Sequence, residues 1–593
     1  MFTRVVIVAT AAVALILGAA YFLRADTGAP DGAPGESEMA ARIGRDIMRH
    51  LQRGHVAGRS GEIMLVPKPH HYLIGDWDLT TLGTSTPVLG TSHPNPWDYL
   101  ARVPIIMTGP RVPAGKEIAR PVDIAALAPT FARLLDIPLD ADARPLEVPR
   151  PAPAKKKPQN SKKGSPPRKE KPKVIFTVVL DGGGWNALQE HPDSWPTIAR
   201  LRRRGTTYVN ATIGSAPSVT GALHATFGTG VYPRRHGIPG NQMRGPDGTN
   251  TDTWLEDADP RFLDAPTVAE LWDESTNNKA VVATVAYEGW HLGMIGHGAQ
   301  RRGGDRDIAV LWDVEDNSWW INEEYYELPR YLARTDIARL DRYEAALDDR
   351  DGLNDGTWFG QTLEDIRVRL SESDPASPQT VRPTTPAFAR FTGDAVLEVL
   401  RREDIGTDGI TDVVWIEMKM PDYAGHRFNV IAPQEGDVIR EVDRQLARFV
   451  RELDRTVGRR NYLFVVSADH GQQPVADLVG GWRINTAELE RDIEGRFGNI
   501  VEKSSPADIY FDHDELERAD VDLSDVASFL GSYTLGDNIP DGAPGSDRVP
   551  EARLDETLFA GAFSSDFLES LSLGDVPRTG DFPEGDLTTP PRS

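Results

Sequence analysis

The chain has 593 residues, with 65 Lys and Arg against 89 Asp and Glu, so its formal net charge at pH 7 is −24. It contains no cysteine, which excludes disulfides, thiolate nucleophiles, cysteine-based zinc fingers and iron–sulfur clusters. Any metal ion must therefore be bound by His, Asp, Glu or hydroxyl side chains. The acidic balance argues against a protein that coats nucleic acid, and the length allows one large domain or several.

An uncharged, apolar run of 19 residues extends from Val5 to Leu23, close to the start of the chain. It is close to the roughly 20 residues that cross a bilayer as a helix and longer than the apolar core of most signal peptides. We predict a membrane anchor over residues 1–24, with a cleaved signal peptide as the alternative, and a stalk over residues 25–40. The long remainder is expected outside the cytoplasm, in the periplasm or at the cell surface, and is secreted if the first segment is cleaved.

Short apolar runs predict buried strands, and a helical spacing over residues 41–58 predicts a helix. Helix and strand patterns alternate after residue 174, which is typical of an α/β fold with a mostly parallel central sheet and helices on both faces. A Trp- and Tyr-rich insert over about residues 300–385 interrupts this alternation. It predicts the core of a small cap subdomain, the lining of a substrate pocket, or both, since the two interpretations are compatible. The predicted strands cover residues 62–67, 103–107, 174–180, 413–417 and 462–467.

The composition changes abruptly between residues 141 and 173, where Lys, Pro and Ser dominate and apolar side chains are scarce. Such a segment cannot offset its ordering entropy by burial, so we predict a disordered linker. A basic patch for anionic lipid is the alternative. Residues 570–593 are rich in Pro, Gly and Asp and predict a loose tail.

Polar residues follow the predicted strands, at the edge where open α/β sheets hold their ligands. Taken singly, each is weak evidence, because an Asp after a strand is often a helix N-cap and an Asp–His pair is often a surface ion pair. Together they supply three Asp, two His and a Thr, which suits two divalent metal ions bound through nitrogen and oxygen atoms. The residues concerned are Asp181, Thr220, Asp422, His426, Asp469 and His470.

These motifs, in this order, resemble the alkaline phosphatase superfamily, and within it most closely the type I phosphodiesterase/nucleotide pyrophosphatase family. The resemblance covers roughly residues 173–300 and 385–513. It implies an alkaline phosphatase-like α/β sandwich with two divalent ions, Zn²⁺ in the family, and a phosphate-ester substrate whose phosphoryl group bridges them. One ion would be bound by Asp181, Thr220, Asp469 and His470, and the other by Asp422 and His426.

The resemblance assigns the nucleophile to Thr220, whose hydroxyl pKa zinc would lower. Ser218, two positions earlier, is the rival hydroxyl. Asn241 matches an Asn that contacts a non-bridging phosphoryl oxygen in relatives, and the alternative for it is an ordinary turn residue.

The second ion in this family needs one more His, from a motif near the C-terminus. The only His after His470 is His513, in a context that does not match. The motif lies near the start of the chain instead, in residues 90–99, and it supplies His93. Neither His55 nor His71 has a matching context.

The simplest explanation is a circular permutation. Residues 41–140 would be the family's C-terminal part moved to the front, the basic linker 141–173 would join the family's old ends, and residues 174–569 would be the main part. In the alternative, residues 41–140 are a decayed duplicate and His93 is incidental. An exchange of segments between two chains would leave the same sequence signal.

The implied reaction is attack by Thr220 on phosphorus, followed by hydrolysis of the phosphothreonine. Monoesterases of the superfamily carry a Lys and an Arg on the strand before a Gly-His motif, where this chain has Tyr287 and Gly289. This difference favours phosphodiesters or nucleotide pyrophosphates, with monoesters as the alternative. A transferase and a membrane-tethered pseudoenzyme that binds a partner stay open, whereas a sulfatase is disfavoured because residues 215–219 lack its Arg.

Overall fold

The computed structural model describes residues 28–30, 32–75, 77, 79–82, 90–147, 171–255, 257–367 and 382–581. The predicted membrane anchor, the greater part of the basic linker and the end of the tail lie outside these ranges. Within them, no helix is both long enough and apolar enough to cross a bilayer.

The strands and helices are numbered in chain order. The strands are β1 (Ile63–Pro67), β2 (Tyr72–Ile74), β3 (Arg102–Thr108), β4 (Lys116–Ile118), β5 (Val122–Asp123), β6 (Val174–Leu180), β7 (Thr206–Thr212), β8 (Gln242–Arg244), β9 (Asn250–Asp252), β10 (Val282–Val285), β11 (Ile308–Asp313), β12 (Ser318–Trp320), β13 (Asp412–Met418), β14 (Tyr462–Ala468), β15 (Arg483–Asn485), β16 (Val501–Ser504), β17 (Asp508–Phe511) and β18 (Phe559–Ser564). The helices are α1 (Glu36–Ile43), α2 (Arg45–Gly54), α3 (Asp98–Ala101), α4 (Leu127–Leu135), α5 (Trp185–Glu190), α6 (Pro196–Arg204), α7 (Thr220–Thr229), α8 (Pro233–His236), α9 (Val268–Ser275), α10 (Ala338–Glu344), α11 (Leu363–Arg367), α12 (Pro386–Arg402), α13 (Met420–Phe428), α14 (Pro433–Thr456), α15 (Thr486–Phe497), α16 (His513–Ala519), α17 (Leu523–Ser532) and α18 (Ser565–Ser570).

The central sheet has the strand order β12-β11-β10-β13-β6-β14-β3-β7-β4, with β5 also paired to β7. Its middle strands β10, β13, β6 and β14 are parallel. Every residue of β6, β13 and β14 is buried, which explains their continuous apolar runs, because helices cover both faces of a parallel sheet. The predicted α/β fold with a mostly parallel central sheet is therefore confirmed.

Residues ahead of the linker are built into this same core. Strand β3 lies between β14 and β7 and is antiparallel to both, with Ile106 opposite Val466 on one side and Thr207 on the other. Strand β1 lies between β17 and β18 in a second, antiparallel sheet. Because the segment ahead of the linker supplies an interior strand to each of these two sheets, it is not a separate domain.

The boundaries at the two ends differ from those that the sequence predicts. The helix predicted over residues 41–58 is two helices, separated at Gly44, whose φ of 85° is unfavourable for other residues. Residues 36–40, predicted as part of the stalk, belong to α1. Residues 571–581, predicted as part of the tail, pack beside these helices, where Val576 is buried and its carbonyl oxygen accepts a hydrogen bond from Arg45 Nε at 3.0 Å.

The Trp-rich insert adds β11 and β12 to the edge of the central sheet. The ring of Trp312 meets that of Trp319 edge-on at 5.0 Å, and Trp319 stacks on Phe391 of α12 at 5.3 Å. Both Trp side chains are buried. Their packing favours a role in the hydrophobic core over a role in a substrate pocket.

We expect Ile106→Ala to lower the free energy of unfolding by about 3 kcal/mol, because this side chain is 1% exposed in the middle of the sheet. Urea unfolding followed by circular dichroism measures the change. The control Ile431→Ala, at a side chain that is 40% exposed, should change the value by less than about 0.5 kcal/mol. Two separate unfolding transitions in the wild type would contradict a core shared by both segments.

Candidate metal centre

Three neighbouring parallel strands end at one edge of the central sheet, and each is followed by polar residues. Asp181 comes directly after β6, and Asp469 comes directly after β14. Asp422 lies in the first turn of α13, which follows β13. Because the carboxyl ends of parallel strands share one edge, the fold brings these side chains together.

The first group of candidate ligands is Asp181, Asp469 and His470, all fully buried. His470 Nε2 lies 3.3 Å from Asp181 Oδ1 and 3.2 Å from Asp469 Oδ2. Within the described part of the chain, none of these three atoms has a hydrogen-bond partner. Buried polar atoms are costly when they lack a partner, so this arrangement fits a bound cation.

The second group is His93, Asp422 and His426. The Nε2 atoms of the two His lie 3.3 and 3.4 Å from Asp422 Oδ1 and 3.0 Å from each other. His93 Nδ1 donates a hydrogen bond to the Ser218 carbonyl oxygen at 2.7 Å, and His426 Nδ1 donates to the Thr91 carbonyl oxygen. Because a carbonyl oxygen only accepts, each neutral ring has its lone pair on Nε2. Two lone pairs facing each other fit a cation between them.

The two groups adjoin each other. The rings of His93 and His470 stack with centroids 3.6 Å apart and an interplanar angle of 16°. His93 thus joins residues that follow the linker, within a single chain. The three other His considered from the sequence are engaged elsewhere: His71 Nδ1 bonds to the Pro69 carbonyl oxygen, His513 pairs with Glu62 at 2.8 Å, and His55 pairs with Glu569 at 3.4 Å.

The protonation states in the second group are those that metal ligands require. Burial alone would raise the pKa of the Asp422 carboxyl, but the Lys419 ammonium and His426 hold it well below its ordinary value. Burial lowers the pKa of His426 to about 4 and also lowers that of His93. The centre therefore presents an ionised carboxylate and two neutral imidazoles near pH 7.

The two candidate hydroxyls lie beside this centre. Thr220 is the first residue of α7 and is 2% exposed. Ser218 Oγ is buried and has no hydrogen-bond partner among the described residues. Asn241 Oδ1 accepts a hydrogen bond from the Gly221 amide at 2.8 Å, which fixes the Asn241 side chain next to the first turn of α7.

Lys419 is a member of the centre that the motifs did not reveal. Its Nζ atom lies 2.6 Å from Asp422 Oδ2 and 3.0 Å from Asp181 Oδ2, and the side chain is 2% exposed. Burial alone would lower the pKa of this ammonium, but Asp181 and Asp422 raise it well above its ordinary value. Its position after β13, three residues before Asp422, is the signal that could have identified it.

His224 and His291 were also missed. His224 Nδ1 donates a hydrogen bond to the Thr220 carbonyl oxygen at 2.9 Å, and His291 Nε2 lies 3.3 Å from Asp181 Oδ2. Both rings are fully buried and meet edge-on at 4.7 Å. They pack behind Thr220 and Asp181. The signal for His224 is its spacing of one helical turn after Thr220.

The chain is similar to several known proteins. The family model described as type I phosphodiesterase/nucleotide pyrophosphatase matches residues 175–554, more than half of the chain. Alkaline phosphatase PafA of Elizabethkingia meningoseptica is 23% identical over 405 residues, which cover 61% of this chain and 72% of that protein. Alkaline phosphatase PhoV of Synechococcus elongatus is 23% identical over 332 residues, which cover 51% and 59%.

Two solved structures illustrate the range of similar folds. The crystal structure of wild-type PafA matches with 22% identity and a TM-score of 0.47, covering 62% of this chain and 76% of that one. Murine ectonucleotide pyrophosphatase/phosphodiesterase 5 matches with 17% identity and a TM-score of 0.29, covering 50% and 57%.

We expect His93→Ala to lose about one of two bound divalent ions, because it removes a ligand from the second group only. Elemental analysis of protein purified with zinc measures the stoichiometry. The control His513→Ala removes a mostly exposed ring outside both groups and should leave the zinc content unchanged. Full zinc occupancy in His93→Ala would contradict the assignment.

Proposed function

Because the chain belongs to the type I phosphodiesterase/nucleotide pyrophosphatase family, whose members hydrolyse phosphate esters, we propose that it does so with Thr220 as nucleophile and two divalent ions. Asp181, Asp469, His470 and Thr220 would bind one ion, and His93, Asp422 and His426 the other. The observation that carries the proposal is the meeting of His nitrogen atoms and Asp oxygen atoms at one buried edge of the sheet.

The donor set of the two groups suits zinc, although Asp and His sites also accept manganese or iron. When bound, two such ions supply positive charge to the attacking and leaving oxygen atoms of an in-line displacement. The protein contributes the geometry. Gln472 Nε2 donates a hydrogen bond to Asp422 Oδ1 at 2.6 Å, and the Gly182 amide donates to Asp469 Oδ1 at 3.1 Å, so both carboxylates are held in place.

In the proposed reaction, Thr220 Oγ1 loses its proton and forms a bond to phosphorus as the bond to the ester oxygen breaks, and the leaving oxygen takes up a proton and departs as the alcohol. Water then attacks phosphorus, the bond to Oγ1 breaks, and Thr220 regains its proton. The N-terminal end of α7 favours negative charge beside Thr220. Asn241, fixed by its bond to the Gly221 amide, is placed to donate its NH₂ group to a phosphoryl oxygen.

Phosphodiesters and nucleotide pyrophosphates are the proposed substrate class. The position that carries Lys in monoesterases is Tyr287, which is buried and meets the ring of Tyr423 edge-on at 5.0 Å. The segment that follows β10 therefore supplies no cation at this position. Monoesters are the second candidate, which Lys419 favours because it adds positive charge to the centre, and which accords with the names of PafA and PhoV.

We also propose that the catalytic domain is circularly permuted. The family match begins at residue 175 and leaves the front segment outside it, yet that segment supplies β1, β3 and His93 to the shared core and centre. The proposal of a membrane anchor with an extracytoplasmic catalytic domain is supported by the apolar run from Val5 to Leu23 alone.

We expect Thr220→Ala to lower kcat for bis(p-nitrophenyl) phosphate by about a thousandfold or more, because no attacking oxygen is left at that position. The matched control is Ser218→Ala, which removes the rival hydroxyl and should retain most of the rate. Zinc content is measured on the same samples. If Ser218→Ala loses the activity and Thr220→Ala keeps it, the nucleophile is Ser218.

A further inference from the structure

Lys419 has no place in either group of candidate ligands, yet its ammonium lies where the two groups meet. We propose that Lys419 is a specificity-determining residue that raises the affinity of the centre for a doubly charged phosphoryl group, as in the monoesters that are the second candidate substrates or in released phosphate, relative to that for the singly charged group of a diester. The inference rests on the proposed function of this site, and it assigns Lys419 a share in substrate choice.

The two carboxylates that contact Lys419 direct their two oxygen atoms to different partners. Asp181 and Asp422 each direct Oδ2 towards Lys419 Nζ, at 3.0 and 2.6 Å. Their Oδ1 atoms face the His nitrogen atoms, with His470 Nε2 at 3.3 Å from Asp181 Oδ1 and His93 Nε2 at 3.3 Å from Asp422 Oδ1. The ammonium therefore contacts carboxylate oxygen atoms other than those that face the candidate metal sites.

The ammonium also faces the proposed nucleophile. Lys419 Nζ donates a hydrogen bond to Thr220 Oγ1 at 3.4 Å. A phosphoryl group attacked by Oγ1 thus comes within direct reach of this charge. A fixed positive charge attracts a dianion about twice as strongly as a monoanion at the same distance, and burial strengthens the difference.

Neighbouring side chains hold the Lys419 ammonium in position. The Tyr423 ring lies 4.8 Å from Nζ, and the Tyr423 hydroxyl donates a hydrogen bond to Glu288 Oε1 at 2.7 Å. Burying an ammonium beside two carboxylates is seldom a gain in stability over apolar packing. A role in recognising negative charge accounts for its presence at the nucleophile.

The test compares Lys419→Met, which removes the charge, with Lys419→Arg, which keeps it. The zinc-loaded full chain is assayed on p-nitrophenyl phosphate and bis(p-nitrophenyl) phosphate, which share one leaving group. We expect Lys419→Met to lower the monoester-to-diester ratio of kcat/KM by about 10- to 100-fold and Lys419→Arg to restore most of it. The control is Lys173→Met, since Lys173 precedes β6 at the end of that strand away from Asp181 and bonds to the Gly406 carbonyl oxygen.

Binding of inorganic phosphate and of dimethyl phosphate, measured by calorimetry, is a readout independent of turnover. Wild type should bind the phosphate dianion at least about tenfold more tightly than the dimethyl ester monoanion, and Lys419→Met should lose that difference. Equal affinities in wild type overturn the inference even if Lys419→Met does not fold. An equal loss on both esters with loss of zinc makes Lys419 a structural residue only. Failure of the proposed function shows separately, as full activity in Thr220→Ala.

Discussion

Two imidazole nitrogen atoms face each other across 3.0 Å at the edge of the central sheet, and each has its proton on the far side of its ring. This contact is unfavourable unless a cation lies between His93 and His426. Around it, fully buried strands end at the same edge and deliver three Asp residues. The fold thus concentrates lone pairs and negative charge in a place from which water is largely excluded, which is the condition under which a divalent ion binds firmly.

This contact also constrains the topology. His93 belongs to the segment ahead of the linker and His426 to the segment behind it, so the centre exists only if the two pack as one body. Strand β3 achieves this by lying between β14 and β7, and β1 does the same in the second sheet. Changes that loosen β3 are therefore expected to act on the candidate metal centre as well as on stability.

How well the sequence predicts each part of this arrangement depends on the pattern that the part leaves in the sequence. Strands β6, β13 and β14 were predictable because burial on both faces demands continuous apolar runs. The candidate ligands could be named from the sequence because most of them follow those strands in a recognisable order. Lys419 was not predictable, because its importance depends on the direction in which its own side chain points. The break at Gly44 and the packing of residues 571–581 depend on contacts distant in sequence, and short edge strands such as β12 carry no distinct pattern.

X-ray diffraction data collected at the zinc absorption edge from zinc-loaded crystals test the central claim most directly. The account predicts two anomalous peaks in each chain. One peak should lie among Asp181, Asp469 and His470, and the other among Asp422, His426 and His93 of the same chain. A single peak, or a second peak without His93 or with a neighbouring molecule's copy of it, would contradict the account.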